Sequence, residues 1–197
     1  QRPSLDEEVI SFKGKKNIYN TGQEEIPGEF EMSKMPNLLT IAVLGGTGKE
    51  GKGLAYRWAR SGYRVLIGSR LPEKAQTTAV ELTALVGGRA AIEGDSNLAA
   101  AQRADIVVLT VPYAAHRQTL EIVKDALQGK ILIDVTVPLV PPKVTKVQMP
   151  PAGSAAQEAR EILGEKVQVT SAFQNISYEH LLQGGLVECD VLVTGTS

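Results

Sequence analysis

Short apolar runs alternate with longer amphipathic segments along the chain from residue 37 onward. Continuous apolar runs that end at glycine or polar residues are typical of parallel strands buried on both faces. This pattern predicts strands at 38–44, 63–67, 89–93, 105–111, 130–135, 167–173 and 189–194. The spacing between them predicts helices at 49–61, 72–86, 97–102, 114–127, 154–163 and 177–183. Regular alternation with short links predicts a single α/β domain with a doubly wound, mostly parallel sheet.

Two segments interrupt this regularity. Residues 1–36 mix charged residues with glycine and proline and show no sustained periodicity, which predicts a flexible or loosely docked extension before a domain at 37–197. An alternative is an arm that docks on a partner subunit, anchored by Ile18, Tyr19 and Phe30. The second segment, 136–153, is a proline-rich loop, and a loop of that length in a compact domain is usually functional or mobile.

The first predicted strand runs directly into a glycine-rich turn that opens the first predicted helix. In a turn of this kind Gly46 permits the sharp bend, Gly48 lets backbone N–H groups approach a phosphate, and Gly51 lets helix and strand pack closely. The positive end of the helix dipole then lies where a pyrophosphate would bind. The stretch therefore predicts a Rossmann-type dinucleotide site.

The two residues at the helix start, Lys49 and Glu50, belong to the same predicted cofactor-binding segment. The charge of Lys49 is favourable beside a pyrophosphate, whereas a carboxylate is not. We therefore expect the Glu50 side chain to point to solvent and assign it no role of its own.

The end of the second predicted strand indicates which dinucleotide binds. An NAD site usually places an acidic residue there, about 20 residues after the turn, but this chain has Gly-Ser69-Arg70. A hydroxyl and a guanidinium favour a 2′-phosphate through charge-assisted hydrogen bonds, and Lys74 and the hydroxyl of Thr47 add to them. The sequence predicts NADP(H), the alternative being an ordinary polar strand end.

Composition removes several other classes of function. A net charge of −1 at pH 7 without a basic face gives no reason to expect nucleic acid. A single cysteine rules out an internal disulfide framework and suits a reducing compartment, and no apolar run approaches the roughly 20 residues of a membrane helix. We therefore expect a cytoplasmic protein that does not bind membranes.

No standard catalytic signature is present. None of the tyrosines has a lysine four residues later, as short-chain dehydrogenases require. The histidines, His116 and His180, lack the cysteine or carboxylate spacing of a metal site, and a surface or hydrogen-bonded role is expected for each. We predict neither a metal nor an acid–base catalytic residue.

Three loops follow predicted strands on the side of the glycine turn, where ligands of open α/β sheets bind. Their candidate cofactor-contacting residues are Thr110, Val111, Pro112, Tyr113, Thr136, Pro138, Leu139, Ala172, Phe173, Gln174, Asn175 and Ile176. Mostly apolar loops with a few hydroxyls and amides suit a flat ring lying against a nicotinamide. Hydride transfer between two such rings depends on orientation in a dry cleft. The alternative is that these loops simply close the sheet.

The run IAVLGGTGKEGKGLAYRWARSGYRVLIGSRLPEKA closely resembles the start of the F420H2:NADP oxidoreductases, also called NADPH-dependent F420 reductases. The segments DIVVLTVPY, ILIDVTVPLVP, SAAQEA, SAFQNIS and CDVLVTG continue the resemblance in order, from about residue 39 to 197. The resemblance implies hydride transfer between NADP(H) and the deazaflavin F420, with F420 as co-substrate, in a homodimer.

It also implies roles for particular residues. Thr47, Ser69, Arg70 and Lys74 would hold the 2′-phosphate, and the residues around the paired rings would be Pro112, Pro138, Leu139 and 173–176. Many family members carry histidine where this chain has Gln174. Members also continue past the strand that matches 191–194, so part of the F420 pocket or dimer surface is expected to lie outside this sequence.

Two other functions remain open at this point. One is an NADPH-dependent flavin or ferric reductase module, because the STEAP metalloreductase cytosolic domain has similar GSR and GKILIDV runs. The other is a protein that senses NADP(H) and carries out no chemistry.

Overall fold

The computed structural model describes residues 39–88, 90–139, 146–183 and 185–195, which belong to one compact unit, Pro36–Ser197. The predictions for residues 1–36 lie outside the described residues. The strands are β1 Thr40–Leu44, β2 Arg64–Ser69, β3 Ile92–Ser96, β4 Ile106–Leu109, β5 Ile131–Asp134, β6 Gln168–Ser171 and β7 Thr194–Gly195. The helices are α1 Lys49–Arg60, α2 Pro72–Leu85, α3 Asn97–Arg103, α4 Tyr113–Val123, α5 Ala155–Leu163 and α6 Tyr178–Leu181.

The sheet has the strand order β3-β2-β1-β4-β5-β6-β7. The first six strands are parallel, and β7 pairs antiparallel with β6. The chain reverses its winding direction between β1 and β4, which is the switch point where ligands bind in folds of this kind. The predicted doubly wound, Rossmann-type α/β fold is confirmed.

Alternate residues of each central strand feed two hydrophobic clusters, one on each face of the sheet. Ala42 and Leu44 of β1 pack with α3, α4 and α5, whereas Ile41 and Val43 pack with α1, α2 and α6. Burial on both faces explains the continuous apolar runs in the sequence. Within the described ranges no helix has the length and apolar character needed to cross a membrane.

The third strand was predicted at 89–93 but lies at Ile92–Ser96. The prediction ended before the polar residues Gly94, Asp95 and Ser96, yet these residues pair in parallel with β2. The pairing is possible because Gly94 has no side chain, and the backbone of Ala75 in α2 occupies the space of its missing Cβ. Close packing of a helix on the sheet edge, rather than hydrophobicity, sets this strand.

The last strand was predicted at 189–194 but contains only Thr194–Gly195. It pairs with Thr170 and Ser171 of β6, and the apolar side chains of Val191, Leu192 and Val193 are exposed instead of entering the core. The prediction was wrong because an apolar run forms a buried strand only where a neighbouring element covers it, and no described element does so here.

Two predicted elements end earlier than expected. The helix predicted at 114–127 divides into α4 and a separate 3-10 turn, Asp125–Leu127. The strand predicted at 167–173 stops at Ser171, because the backbone of Phe173 has a positive φ of 71° that no strand accommodates.

Replacing Gly94 with alanine is expected to destabilise the domain by about 2 kcal/mol or more, because the new methyl group would overlap with backbone atoms of α2. Backbone cannot move away as the end of a long side chain can. Urea unfolding followed by circular dichroism measures the change. A midpoint equal to that of the parent chain would contradict this packing of α2 on β3.

Candidate functional site

A cleft of about 750 Å³ lies at the C-terminal ends of the central strands, at the switch point between β1 and β4. It is lined by Gly45, Thr47, Gly48, Lys49, Glu50, Ser69, Arg70, Leu71, Lys74, Asn97, Thr110, Val111, Pro112, Ala115, Thr119, Val135, Thr136, Val137 and Leu139. The glycine turn, the end of β2 and the loops after β4 and β5, predicted as parts of one site, therefore surround one cavity. A volume of this size is ordinary for a cofactor site.

Backbone hydrogen bonds fold the glycine turn between β1 and α1. The N–H of Gly46 donates to the carbonyl oxygens of Val43 and Gly68 at 3.2 and 3.0 Å. A Cβ on Gly46 would lie 2.7 Å from the Val43 oxygen, and one on Gly51 would lie 2.6 Å from the Thr110 hydroxyl. Gly46 and Gly51 thus provide close packing behind the turn, and neither residue lines the cleft.

The first turn of α1 offers a binding site for an anion. Gly48 is the N-cap residue, so within the described part of the chain this helix start has no side-chain cap. The first N–H groups of the helix, together with the helix dipole, favour a phosphate at this end. Lys49 lies beside them, and its ammonium group donates to the Tyr178 hydroxyl of α6 at 3.0 Å. That hydrogen bond raises the pKa of Lys49, so the positive charge is retained.

Asn97, the first residue of α3, was not predicted as part of the site. Its Oδ1 accepts a hydrogen bond of 3.2 Å from the N–H of Gly45, and the residue is 8% exposed. It fits closely because a Cβ on Gly68 would lie 2.8 Å from the same oxygen. The sequence marks this position only as a helix start, so nothing in it connects α3 with a turn 52 residues away.

The end of β2 carries the residues predicted for the 2′-phosphate. Ser69 is buried, and its hydroxyl oxygen accepts from the N–H of Leu71 at 3.1 Å. Arg70 and Lys74 are exposed at the cleft, and neither forms an ion pair within the described part of the chain. Two unpaired cations beside a hydroxyl and without an acidic partner suit a phosphate dianion.

The opposite wall is formed by the loops after β4 and β5. The Thr110 hydroxyl donates to the carbonyl of Leu44 at 2.9 Å, and the N–H of Thr136 donates to Asp134 Oδ1 at 2.9 Å. Between these anchored residues the wall is mostly apolar, with Val111, Pro112, Ala115, Val135, Val137 and Leu139. This end of the cleft suits a flat ring rather than a phosphate.

A second cavity of about 210 Å³ adjoins the cleft, since Thr136 and Val137 line both. Two predicted residues, Pro138 and Gln174, lie in this second cavity. The Gln174 amide donates to the carbonyl of Asp134 at 2.8 Å and to the Ser171 hydroxyl at 2.6 Å. The loops after β5 and β6 are thereby joined beside the apolar end of the cleft.

Besides Gly46 and Gly51, five residues predicted for the site line neither cavity. They are Tyr113, Ala172, Phe173, Asn175 and Ile176. Ala172 is buried, Phe173 and Ile176 pack against the core, and the Asn175 amide donates to the carbonyl of Asp190 at 2.8 Å. Their observed contacts are structural, and a contact with a bound ring remains a prediction.

The expectation that Glu50 points to solvent is wrong. Its side chain lines the cleft, and Oε1 is buried without a hydrogen-bond partner among the described residues. Burial raises the pKa of this carboxyl group. The sequence misled because a charged residue in the first turn of a helix is usually exposed.

A buried polar network beneath the wall was not predicted. His116 of α4 is fully buried, and its Nε2 forms a hydrogen bond of 2.8 Å with Asp134 Oδ2, so it is a hydrogen-bonded core histidine. Its Nδ1 lies 4.0 Å from Glu158 Oε2. Glu158 also accepts from the Tyr113 hydroxyl and the Arg117 guanidinium at 2.8 and 2.7 Å. Asp134 thus connects the helix layer to the Thr136 loop.

In the described residues no group of three histidine, cysteine, aspartate or glutamate side chains is arranged to hold a metal ion. His180 is exposed on α6. The first turn of α1 and the cations at the end of β2 fit a phosphate-containing ligand.

Comparison with known proteins gives consistent results. Residues 40–138 match the family model described as NADP oxidoreductase, coenzyme F420-dependent. The F420-dependent NADP reductase of Methanocaldococcus jannaschii is 39% identical over 164 residues, which cover 80% of this chain and 73% of that relative. The protein of the same name from Methanothermobacter thermautotrophicus is 42% identical over 162 residues, which cover 79% of this chain and 70% of that relative. A solved structure from Arthrobacter sp. FB24 is assigned to the F420-dependent NADP reductases. It aligns with 81% of this chain and 74% of its own, with a TM-score of 0.66 and 23% sequence identity. This similarity supports the fold.

Proposed function

Since this chain belongs to the family of coenzyme F420-dependent NADP oxidoreductases, we propose that it transfers a hydride between NADP(H) and the deazaflavin F420. It is an enzyme, and its two ligands are a nicotinamide dinucleotide and a deazaflavin. The observation that carries the proposal is the polarity of the cleft, with unpaired cations at one end and an apolar wall at the other.

We propose that NADP(H) lies across the C-terminal ends of the strands. Its 2′-phosphate would bind Ser69, Arg70, Lys74 and the hydroxyl of Thr47, and its pyrophosphate would bind the N–H groups of the glycine turn and the first turn of α1. The nicotinamide would then lie toward the apolar wall of Thr110, Val111 and Pro112.

The deazaflavin would bind on the far side of the nicotinamide. The second cavity, with Pro138 and Gln174, supports this placement because it opens from the same wall. When bound, a deazaflavin would accept or supply the hydride, and the residues of this chain would hold the two rings in contact and exclude water. Direct transfer between two ring carbons requires no nucleophile and no metal.

The experiment combines the purified chain with NADPH and F420 and follows loss of the visible absorbance of the oxidised deazaflavin. Separate reactions contain FMN or FAD in place of F420. Turnover with F420 and not with the flavins supports the proposal. NADPH binding without turnover of any of the three would indicate a nucleotide-sensing protein instead.

Three further features are proposed with this function. We propose that residues 37–197 form the NADP-binding domain and that residues 1–36 are an extension of it. We also propose a homodimer, which is supported by the exposed apolar side chains of Leu186, Leu192 and Val193, since a partner subunit could cover them. A cytoplasmic location agrees with the single cysteine.

A further inference from the structure

The Glu50 carboxyl group occupies an unusual position within the cleft. Its Oε1 is shielded from solvent and accepts no hydrogen bond from the described residues. Glu50 as a residue is half-buried, whereas the buried acids are satisfied: Asp134 accepts from His116 and Thr136, and Glu158 accepts from two side chains. A buried acceptor without a donor costs free energy that a ligand donor can recover. The position therefore requires an explanation from what binds in the cleft.

The helical spacing shows which end of the cleft Glu50 faces. Glu50, Leu54 and Trp58 recur every four residues and so lie on one face of α1. On this face the Trp58 ring packs edge to face on the Phe173 ring, with centroids 5.9 Å apart. Residue 173 belongs to the loop that carries Gln174 into the second cavity. Glu50 therefore lies on the side of the apolar wall and the second cavity.

The ligand chemistry at that end restricts what can bind a carboxylate. Phosphate groups would be repelled by it, and the adenine and 2′-phosphate of NADP(H) lie at the other end, beside Arg70. The flat rings proposed for this end both carry amide N–H groups, in the carboxamide of the nicotinamide and in the lactam of the deazaflavin. We infer that Glu50 accepts a hydrogen bond from an amide N–H of one of these two rings and so fixes the orientation of that ring. This inference rests on the proposed function.

The test measures ligand binding to Glu50→Ala and Glu50→Gln by fluorescence titration. Glu81→Gln is the matched control, because Glu81 is exposed on α2, outside the cleft, and pairs with Lys52. The probes are NADPH, 2′,5′-ADP (which has no nicotinamide) and the 3-acetylpyridine analogue of NADP (which has no carboxamide N–H). The KM for F420 is measured at saturating NADPH.

A contact with the nicotinamide predicts about tenfold weaker NADPH binding in Glu50→Ala. Binding of 2′,5′-ADP would be unchanged, and the preference of the parent chain for the amide over the acetylpyridine analogue would disappear. A contact with the deazaflavin predicts unchanged NADPH binding and a KM for F420 raised about tenfold. Either result supports the inference.

Three results would overturn it. The first is that Glu50→Ala binds every probe as the parent chain does and has the same KM for F420. The second is that the substitution weakens binding of NADPH and of the acetylpyridine analogue equally, which would indicate a contact with a ribose hydroxyl. The third is that it weakens binding of 2′,5′-ADP. Unchanged unfolding of both variants excludes misfolding as the cause. Failure of the proposed function would appear separately, as absence of F420 turnover in the parent chain, and the NADPH titrations would still decide the inference.

The pH dependence provides a second readout that a merely structural role would not alter. Burial raises the pKa of Glu50, so its carboxylate is lost at a higher pH than that of an ordinary glutamate. The affinity of the parent chain for the ligand that contacts Glu50 should therefore fall as the pH decreases through this pKa. The affinity of Glu50→Gln for the same ligand should not change over that pH range. The other charged groups lining the cleft are Lys49, Arg70 and Lys74, with Tyr178 and Glu179 of α6 near Lys49.

Discussion

Replacing Arg70 with alanine is expected to weaken NADPH binding about 10- to 100-fold while NADH binding changes little, because a hydrogen bond to a charged group contributes roughly 1.5–3 kcal/mol. Arg70 is exposed at the cleft and has no ion-pair partner within the described residues, so the substitution breaks no described ion pair. The difference between the two dinucleotides is a single 2′-phosphate. A loss confined to NADPH would therefore place that phosphate at the end of β2.

Isothermal titration of both dinucleotides measures the effect. Arg60→Ala is the matched control, because Arg60 is also exposed but lies at the opposite end of α1 from the glycine turn. Arg70→Glu should weaken NADPH binding further than alanine does, since it adds repulsion to the lost attraction. Equal losses for NADPH and NADH would refute the assignment of the 2′-phosphate. The titrations are carried out at one low salt concentration, because salt screens the attraction between exposed charges.

Replacing Asp134 with alanine is expected to destabilise the domain by about 3–5 kcal/mol, the usual result of removing one partner from a buried pair. Asp134 is 1% exposed and accepts from His116 at 2.8 Å and from the N–H of Thr136 at 2.9 Å. The substitution leaves both partners buried without an acceptor. Because Thr136 lines both cavities, any folded fraction should also bind its ligands less well.

Urea unfolding measures this change, read as a lower midpoint at an unchanged slope. Asp134→Asn keeps an oxygen for the Thr136 N–H and should lose less stability than alanine. Asp125→Ala is the matched control, since Asp125 is exposed and should change stability by less than about 0.5 kcal/mol. Equal stabilities for Asp134→Ala and the control would contradict the role given to the buried network.

Local sequence predicted those parts of the fold that depend on neighbouring residues in the chain. The central strands follow from continuous apolar runs such as IAVL. The start of the helix predicted at 154–163 is likewise local, because Ser154 Oγ accepts from the N–H of Gln157 at 3.1 Å. The bend of the glycine turn is likewise local, since the N–H groups of Gly46 and Gly48 donate to the carbonyls of Val43 and Gly45. Arg70 follows by position, because a strand end beside the turn faces the cleft.

Distant contacts account for what the sequence did not predict. The strand at Ile92–Ser96 depends on contact between Gly94 and α2, and the exposed run before β7 depends on what covers it. Phe173 ends β6 through a backbone angle that its residue type does not favour. In the first two cases the neighbouring element, and not the local hydropathy pattern, determined the outcome.

The sequence by itself determined the α/β class, the nucleotide-binding turn and the preference for NADP(H), because each depends on residues adjacent along the chain. Only the tertiary structure decided that Asn97 holds Gly45, that His116 and Asp134 support the Thr136 loop, and that Glu50 turns into the cleft. These arrangements join residues on different elements, or depend on how far one side chain is buried. The physical reason is that hydrogen bonding and desolvation depend on distance in space, which separation along the sequence does not specify.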